Sequence, residues 1–424
     1  MNVIRSTQPL RIAALAAATA ALSLSFVGTA SATAPKVGPT TTAFYAPSAS
    51  KIAGGKHGDV IWYRTAQSAL NLSNASRALN VVYKSKSLSN KSIAVSGTVW
   101  LPKGTPPTGG WKVISWGHGT TGAGDSCAPS RIADIVSGNY SSYVYPAFNA
   151  WLAAGYAVAM SDYEGLGTPG PHPYLIGHSE ARGVIDIVTA ARKLDSHVGT
   201  KWIAAGHSQG GHATLFAAAD AKSWAPSLTL KGVAAFAPAS HLKTTVIFAT
   251  NAIKVPNGLS GLGALIVRST TMADTTLKLS DLMNPAAYAL RGDLETKCLG
   301  GDAGLGSLAS FGQFAPGNLL QTWTGSGWTS GKVIRALNTL DGPAINPSPK
   351  NNTKLRITAP ILVLQGGLDS TVPSFTTDAL VTEMRAADGA SHVTYNTYPS
   401  ADHGGVVGAG QTDATAWFAT QFAK

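Results

Sequence analysis

Short apolar, β-branched runs bounded by Gly or Pro alternate with helix-like stretches along most of the chain. Residues 78–85 (ALNVVYKS) and 93–102 (IAVSGTVWLP) flank the polar turn LSNK and predict an antiparallel pair. Further strands are predicted at 111–119, 155–165, 201–208, 230–238, 359–367 and 391–399, and helices at 179–194, 210–221 and 374–388. That alternation predicts an α/β fold: a mostly parallel sheet with helices on both faces.

One interval breaks the rhythm. Between Pro238 and Ala359 lie about 120 residues with Gly-rich and Thr-rich patches and no convincing run of strands. It reads as a large, mainly helical inserted cap at 239–358. The core is thereby divided into 33–238 and 359–424, and internal repeats are not apparent. Residues 1–32 have the form of a secretory signal: Arg5 and Arg11, then IAALAAATAALSLSFVG, then ASA. The apolar part is about as long as a signal core and is followed by a small-residue cleavage site, which favours export over a permanent membrane span. The expected product is an extracellular chain starting near Thr33.

Composition narrows the class. Apolar residues make up 44% and charged residues 12%, as in a globular chain rather than a disordered one. The formal charge of +11 stays positive once the two arginines of the signal are removed. A basic surface would suit an anionic cell wall, lipid headgroups or acidic substrates. Because the Lys and Arg residues are scattered singly, without a basic tract, the pattern argues against nucleic acid and reads more simply as a solvated surface. The two cysteines, Cys127 and Cys298, form an even pair in a chain expected outside the cell, where one disulfide closing a long loop is the natural outcome. No C-x-x-C or H-E-x-x-H spacing points to zinc, and no metal or cofactor is expected.

Candidate chemistry begins at G-x-S-x-G, residues 206–210. With 46 glycines in 424 residues the bare pattern is weak, and its context decides. The run KWIAA predicts a strand and GGHATLFAAADA a helix, so Ser208 falls on a sharp strand-to-helix turn where glycines let the two elements approach. A serine hydroxyl needs a histidine to take its proton and a carboxylate to orient that histidine. In this architecture the acid follows a late strand and the histidine lies near the C-terminus. Asp369 follows ILVLQGGL, and His403 follows the last strand in SADHGG. Asp378 falls within a predicted helix, and Asp402 adjoins His403 in sequence, a poor place from which to accept from its ring. His207, His212 and His392 read as hydrogen-bonded structural histidines. For an oxyanion, the backbone N–H of Gln209 is one expected donor, and Thr120 or Thr121 in the loop GHGTTGAG (117–124) is the second.

In combination, GDVIWYR, SWGHGTTGAGDSCAPS, GYAVAMSDYEGLGTPG, GHSQGGHAT, LQGGLDSTVP and ADHGG resemble the secretory lipases of the fungal lipase A type, within the α/β-hydrolase superfamily. The resemblance spans nearly the whole chain after residue 32. It implies Ser208, Asp369 and His403 as the triad, a disulfide between Cys127 and Cys298, and a cap over the site in the long insertion. It also implies that SDYEGLG (161–167) lines the pocket. Fungal members carry an acid in the oxyanion loop where this chain has threonine. The implied activity is hydrolysis of acylglycerols or other lipid esters through an acyl-enzyme, under a cap that shields an apolar acyl site. Two alternatives stay open: a peptidase or amidase using the same three residues, and an inactive binding protein of the cell wall. No acidic or amine-binding subsite supports the former, and an intact triad speaks against the latter.

Overall fold

A computed structural model describes residues 35–424 except 132–141, 252–258, 300–307, 314–330 and 354. The predicted secretion signal lies outside the described residues.

Among the described residues nine strands form one sheet: β1 (Val60–Thr65), β2 (Ala75–Lys86), β3 (Ser92–Pro102), β4 (Trp111–Gly117), β5 (Ala157–Ser161), β6 (Val198–His207), β7 (Thr229–Phe236), β8 (Ile361–Gly366) and β9 (Val393–Tyr398). Their spatial order is β1-β2-β3-β5-β4-β6-β7-β8-β9. Pairings from β1 to β5 across β3 are antiparallel, and every pairing from β5 through β4 to β9 is parallel.

The inner parallel strands, β5, β4, β6, β7 and β8, are largely apolar on both faces because both are covered. Ala157 and Ala159 of β5 face one apolar layer, which includes Val184 and Ile187 of the Gly177–Leu194 helix, Leu215 and Phe216 of Gln209–Trp224, and Leu380 of Ser374–Asp388. Val158 and Met160 face the other, with Phe148 and Trp151 of the Tyr145–Ala153 helix and Phe418 and Phe422 of Gly405–Ala423. Successive side chains of a strand point to opposite faces, so each run feeds both layers. A large aliphatic or aromatic side chain buried in either layer contributes about 1.5–3 kcal/mol.

Two features escape the apolar pattern. In β1 only Trp62 is buried, and Arg64 and Thr65 interrupt the run, as suits a strand at the antiparallel edge. The Gly405–Ala423 helix carries three glycines, three threonines and no strong periodicity; packing of Val406, Val407, Phe418 and Phe422 on the sheet holds it where propensity would not.

Among its described residues, the 239–358 interval contributes helices and no strand. The longer ones are Leu242–Asn251, Leu259–Ala273 and Gly331–Leu340. Their apolar faces share a cluster that also takes in Ala123, Tyr174 and Leu175 from loops above the sheet. Among the described residues no helix is long and apolar enough to cross a membrane.

Cys127 and Cys298 are joined, across 171 positions of sequence. In the chain-entropy model a loop of that length gives about 5 kcal/mol of stabilisation. The Cys127→Ala/Cys298→Ala double variant is therefore expected to lose several kcal/mol in urea unfolding, and a non-reduced digest of the wild type should contain the linked peptide. A loss below about 1 kcal/mol would contradict the loop-closure account.

Candidate active site

β6 delivers the chain to Ser208 at the carboxyl edge of the sheet, and the Gln209–Trp224 helix begins one residue later. The reversal demands an unusual backbone: Ser208 has φ 58° and ψ −118°, a left-handed value that L-residues avoid. Its N–H donates to the Phe236 carbonyl at 2.9 Å, and its own carbonyl accepts the His212 N–H at 3.0 Å. Those bonds hold the strained residue between β7 and the first turn of the helix. Gly206 and Gly210 are required by close approach, since a Cβ on either would run into backbone of the other or of Gly117.

Asp369 follows β8 and is fixed from three sides. Its Oδ1 accepts the N–H groups of Thr371 at 2.9 Å and Val372 at 2.8 Å, and its Oδ2 accepts Gln365 Nε2–H at 3.2 Å. The same Oδ2 lies 2.7 Å from His403 Nδ1, and His403 Nε2 lies 2.9 Å from Ser208 Oγ. All three residues are buried. The structure thus brings the three predicted residues into one hydrogen-bonded row, with Nδ1–H donating to Asp369 and the serine hydroxyl donating to Nε2. The competing acids are engaged elsewhere. Asp402 Oδ1 accepts the Gly405 N–H at 2.7 Å at a helix start, and Asp378 accepts the Tyr395 hydroxyl at 2.7 Å. His392 bonds the Ile357 carbonyl at 3.0 Å.

The loop 117–124 lies beside the elbow, after β4. Thr120 shares a cavity with Ser208, and its Oγ1 is 2.8 Å from the Tyr174 hydroxyl. Thr121 does not line that cavity. Its carbonyl accepts the Leu299 N–H at 2.8 Å, beside the disulfide, and Gly122 forms an isolated bridge with Cys298. The first N–H groups of a helix have no intrahelical partner, which leaves that of Gln209 open beside Ser208, where the helix dipole favours negative charge. The Gln209 side chain turns away and donates to Glu180 at 2.7 Å; Glu180 also bonds His212 Nδ1 at 3.0 Å, whose Nε2 reaches the Ile345 carbonyl at 2.7 Å.

The resemblance places 161–167 along the pocket wall. Instead, none of them lines the cavity that holds Ser208, and Tyr163 packs against His118 of the 117–124 loop. Asp162 is buried and accepts from Ser96 Oγ at 2.6 Å, from the Ser130 N–H at 3.0 Å and from the Ser130 hydroxyl; burial pushes its carboxyl up to about 6 against these bonds. Tyr163 donates to the His118 carbonyl at 3.1 Å. Burial also lowers His118 to about 4 and His172 to about 3, so both rings are neutral near neutral pH.

The cavity and the open solvent at its mouth together span about 860 Å³. Ser208, Thr120 and Tyr174 lie along its polar side, and Leu242, Val246, Leu259, Leu262, Ile266 and Val267 supply apolar wall from the 239–358 interval. Sequence reasoning missed Tyr174, which carries no motif, and Gln365, whose signal is a polar residue in the wholly buried strand β8. Among the described residues no group of three or more His, Cys, Asp or Glu could hold a metal ion.

This geometry has parallels among known proteins. The structure is similar to lipase A of Candida antarctica in its closed state, with a TM-score of 0.65 and 19% identity, covering 89% of this chain and 84% of that one. It is also similar to a rice cell wall degrading esterase of Xanthomonas oryzae, with a TM-score of 0.63 and 17% identity, covering 86% and 97%. These likenesses give the fold, that of the α/β-hydrolases. In sequence, lipase A of Moesziomyces aphidis is 27% identical over 216 residues; the match covers 49% of this chain and 45% of that relative, so the chain spans less than half its length. The family model described as secretory lipase matches residues 143–424, well over half of the sequence and including Ser208, Asp369 and His403, and on that match the chain belongs to the secretory lipase family.

Proposed function

We propose that the protein is an exported serine carboxylic-ester hydrolase acting on acylglycerols or related lipid esters. The observation that carries this reading is the hydrogen-bonded row Asp369–His403–Ser208 opening onto an apolar cavity. Ser208 Oγ attacks the ester carbonyl while His403 Nε2 takes its proton, and Asp369 holds the ring in the tautomer that can accept it. The oxyanion forms at the start of the Gln209–Trp224 helix, where the Gln209 N–H and Thr120 are the donors we assign. Of the two threonines, Thr120 is favoured because it shares the cavity with Ser208. The intermediate collapses to an acyl-serine as His403 returns the proton to the departing alcohol. Water, deprotonated by the same nitrogen, then releases the acid.

Residues 239–358 act in this reading as the cap, and their apolar side chains receive the acyl chain. The family description, the disulfide and the signal-like residues 1–32 together support export. A lipid surface or an anionic wall is the setting we expect for a basic chain with this cavity.

A graded p-nitrophenyl ester series and an emulsified triglyceride, with an anilide control, test the proposal. Esters should be cleaved and the anilide spared; the reverse would favour the amidase reading, and turnover of neither an inactive binding protein. Narrowing the cavity tests its role. Leu262→Trp is expected to lower kcat/KM for a long-chain ester relative to the acetate by about 10-fold or more, since each displaced methylene is worth about 1–3 kcal/mol. An unchanged ratio would exclude the cavity as the acyl site.

A further inference from the structure

His207 stands immediately before the nucleophile, and its sequence context suggests only a structural histidine. Its ring is fully buried at the level of the row already described. His207 Nε2 lies 2.8 Å from the main-chain carbonyl of His403, and the two rings pack at a tilt of 47° with centroids 4.5 Å apart. A carbonyl can only accept, so His207 must carry its proton on Nε2. Nδ1 is then an acceptor, and it meets the hydroxyl of Tyr143, which can donate. Burial and the neighbouring His403 both lower the pKa of His207 well below the usual value for histidine, in keeping with a neutral ring.

The same pair abuts the oxyanion loop. A Cβ on Gly119 would lie 3.1 Å from the Tyr143 hydroxyl oxygen and 3.4 Å from His207 Nδ1, so the loop's main chain rests against both. His403 itself sits in a turn between β9 and the helix that starts at Gly405. Asp369 fixes one ring nitrogen of His403 but not its main chain.

Resting on the reading of Ser208, Asp369 and His403 given above, we propose that His207 is a positioning residue for the general base. It anchors the backbone of His403 so that Nε2 stays aligned on Ser208, and Tyr143 sets the tautomer that makes the anchor possible. A base displaced by about 1 Å costs on the order of 10²-fold in rate, because proton transfer depends on a near-attack geometry that substrate binding does not.

The test uses three variants of the full protein, with kcat and KM for p-nitrophenyl butyrate, the rate of labelling by a p-nitrophenyl phosphonate, and Tm. His207→Phe keeps the ring but loses both hydrogen bonds, and should lower kcat and the labelling rate by about 10- to 100-fold with KM within about twofold. His207→Gln can place an amide N–H where Nε2 stood, and should recover most of that loss, which a purely packing role would not allow. Tyr143→Phe removes one hydroxyl and should lower kcat several-fold at unchanged KM; it carries the test alone where His207→Phe fails to fold. An unmoved kcat in folded His207→Phe or in Tyr143→Phe, or a glutamine variant no better than phenylalanine, would overturn the positioning role while leaving wild-type labelling at Ser208 intact. Wild-type label found away from Ser208 would overturn the site reading and this proposal with it.

Discussion

Ser208→Ala is expected to lower kcat for a short p-nitrophenyl ester by about 10⁵- to 10⁶-fold while leaving the fold in place. The size follows from the row acting as one unit: without Oγ no acyl-enzyme can form, and His403, oriented by Asp369, has no serine proton to take. What remains, about 10³-fold over water, comes from binding and from donors at the oxyanion position. Stability should change little, because alanine must adopt the same left-handed φ of 58° that the turn imposes on serine and the lost side chain bonds only His403 among the hydrogen bonds described. The check is kcat measured beside Tm and phosphonate labelling. Hydrolysis within tenfold of the wild type, in protein free of wild-type contamination, would remove Ser208 from its assigned role.

Gly210→Ala carries the largest expected effect on folding. Alanine is the better helix former by about 1 kcal/mol, so propensity alone predicts a gain at the start of the Gln209–Trp224 helix. Packing predicts the opposite. A Cβ at 210 would fall inside the Gly117 carbonyl group, and Gly117 is paired at the end of β4 with both Ser161 and Gly206. All of these are main-chain atoms at the middle of the sheet, and none can turn aside as a side chain would. The helix would have to lift from β4, carrying Ser208 with it. We expect a loss of about 4 kcal/mol or more, seen as insoluble or unfolded protein. Gly408→Ala is the control: it lies in the Gly405–Ala423 helix with open space around its Cβ position, and should be neutral or stabilising by up to about 1 kcal/mol. Equal stability of the two variants would refute the close-packing account of the elbow.

Much of the site can be read along the chain because its parts are locally encoded. Gly206 and Gly210 around Ser208 mark a turn only small residues can make, and Asp369 and His403 each follow a run that is recognisably a strand. The partners that hold these residues are not legible. Gln365 steadies Asp369 from within an apolar strand, Tyr174 meets Thr120 across 54 positions, and His207 reaches His403 across 196. The Thr120–Tyr174 and His207–His403 contacts have no sequence period because only the sheet order brings their partners together, and Gln365 stands four residues from Asp369 in a strand whose apolar run gives no sign of that bond.

The sequence by itself determined the class of fold, the chain order of Ser208, Asp369 and His403, and a long interval that has no strand among its described residues. Those properties rest on local chemistry: backbone preference, apolar periodicity and turn residues act within a few positions. Tertiary structure alone decided that Thr120 rather than Thr121 faces the cavity, that 161–167 stays out of its wall while Tyr163 bonds the 117–124 loop, and that the apolar side chains of Leu242, Val246, Leu259, Leu262, Ile266 and Val267 converge near Ser208. Burial and close packing select among side chains that are equivalent in sequence, and that selection exists only once the layers have come together.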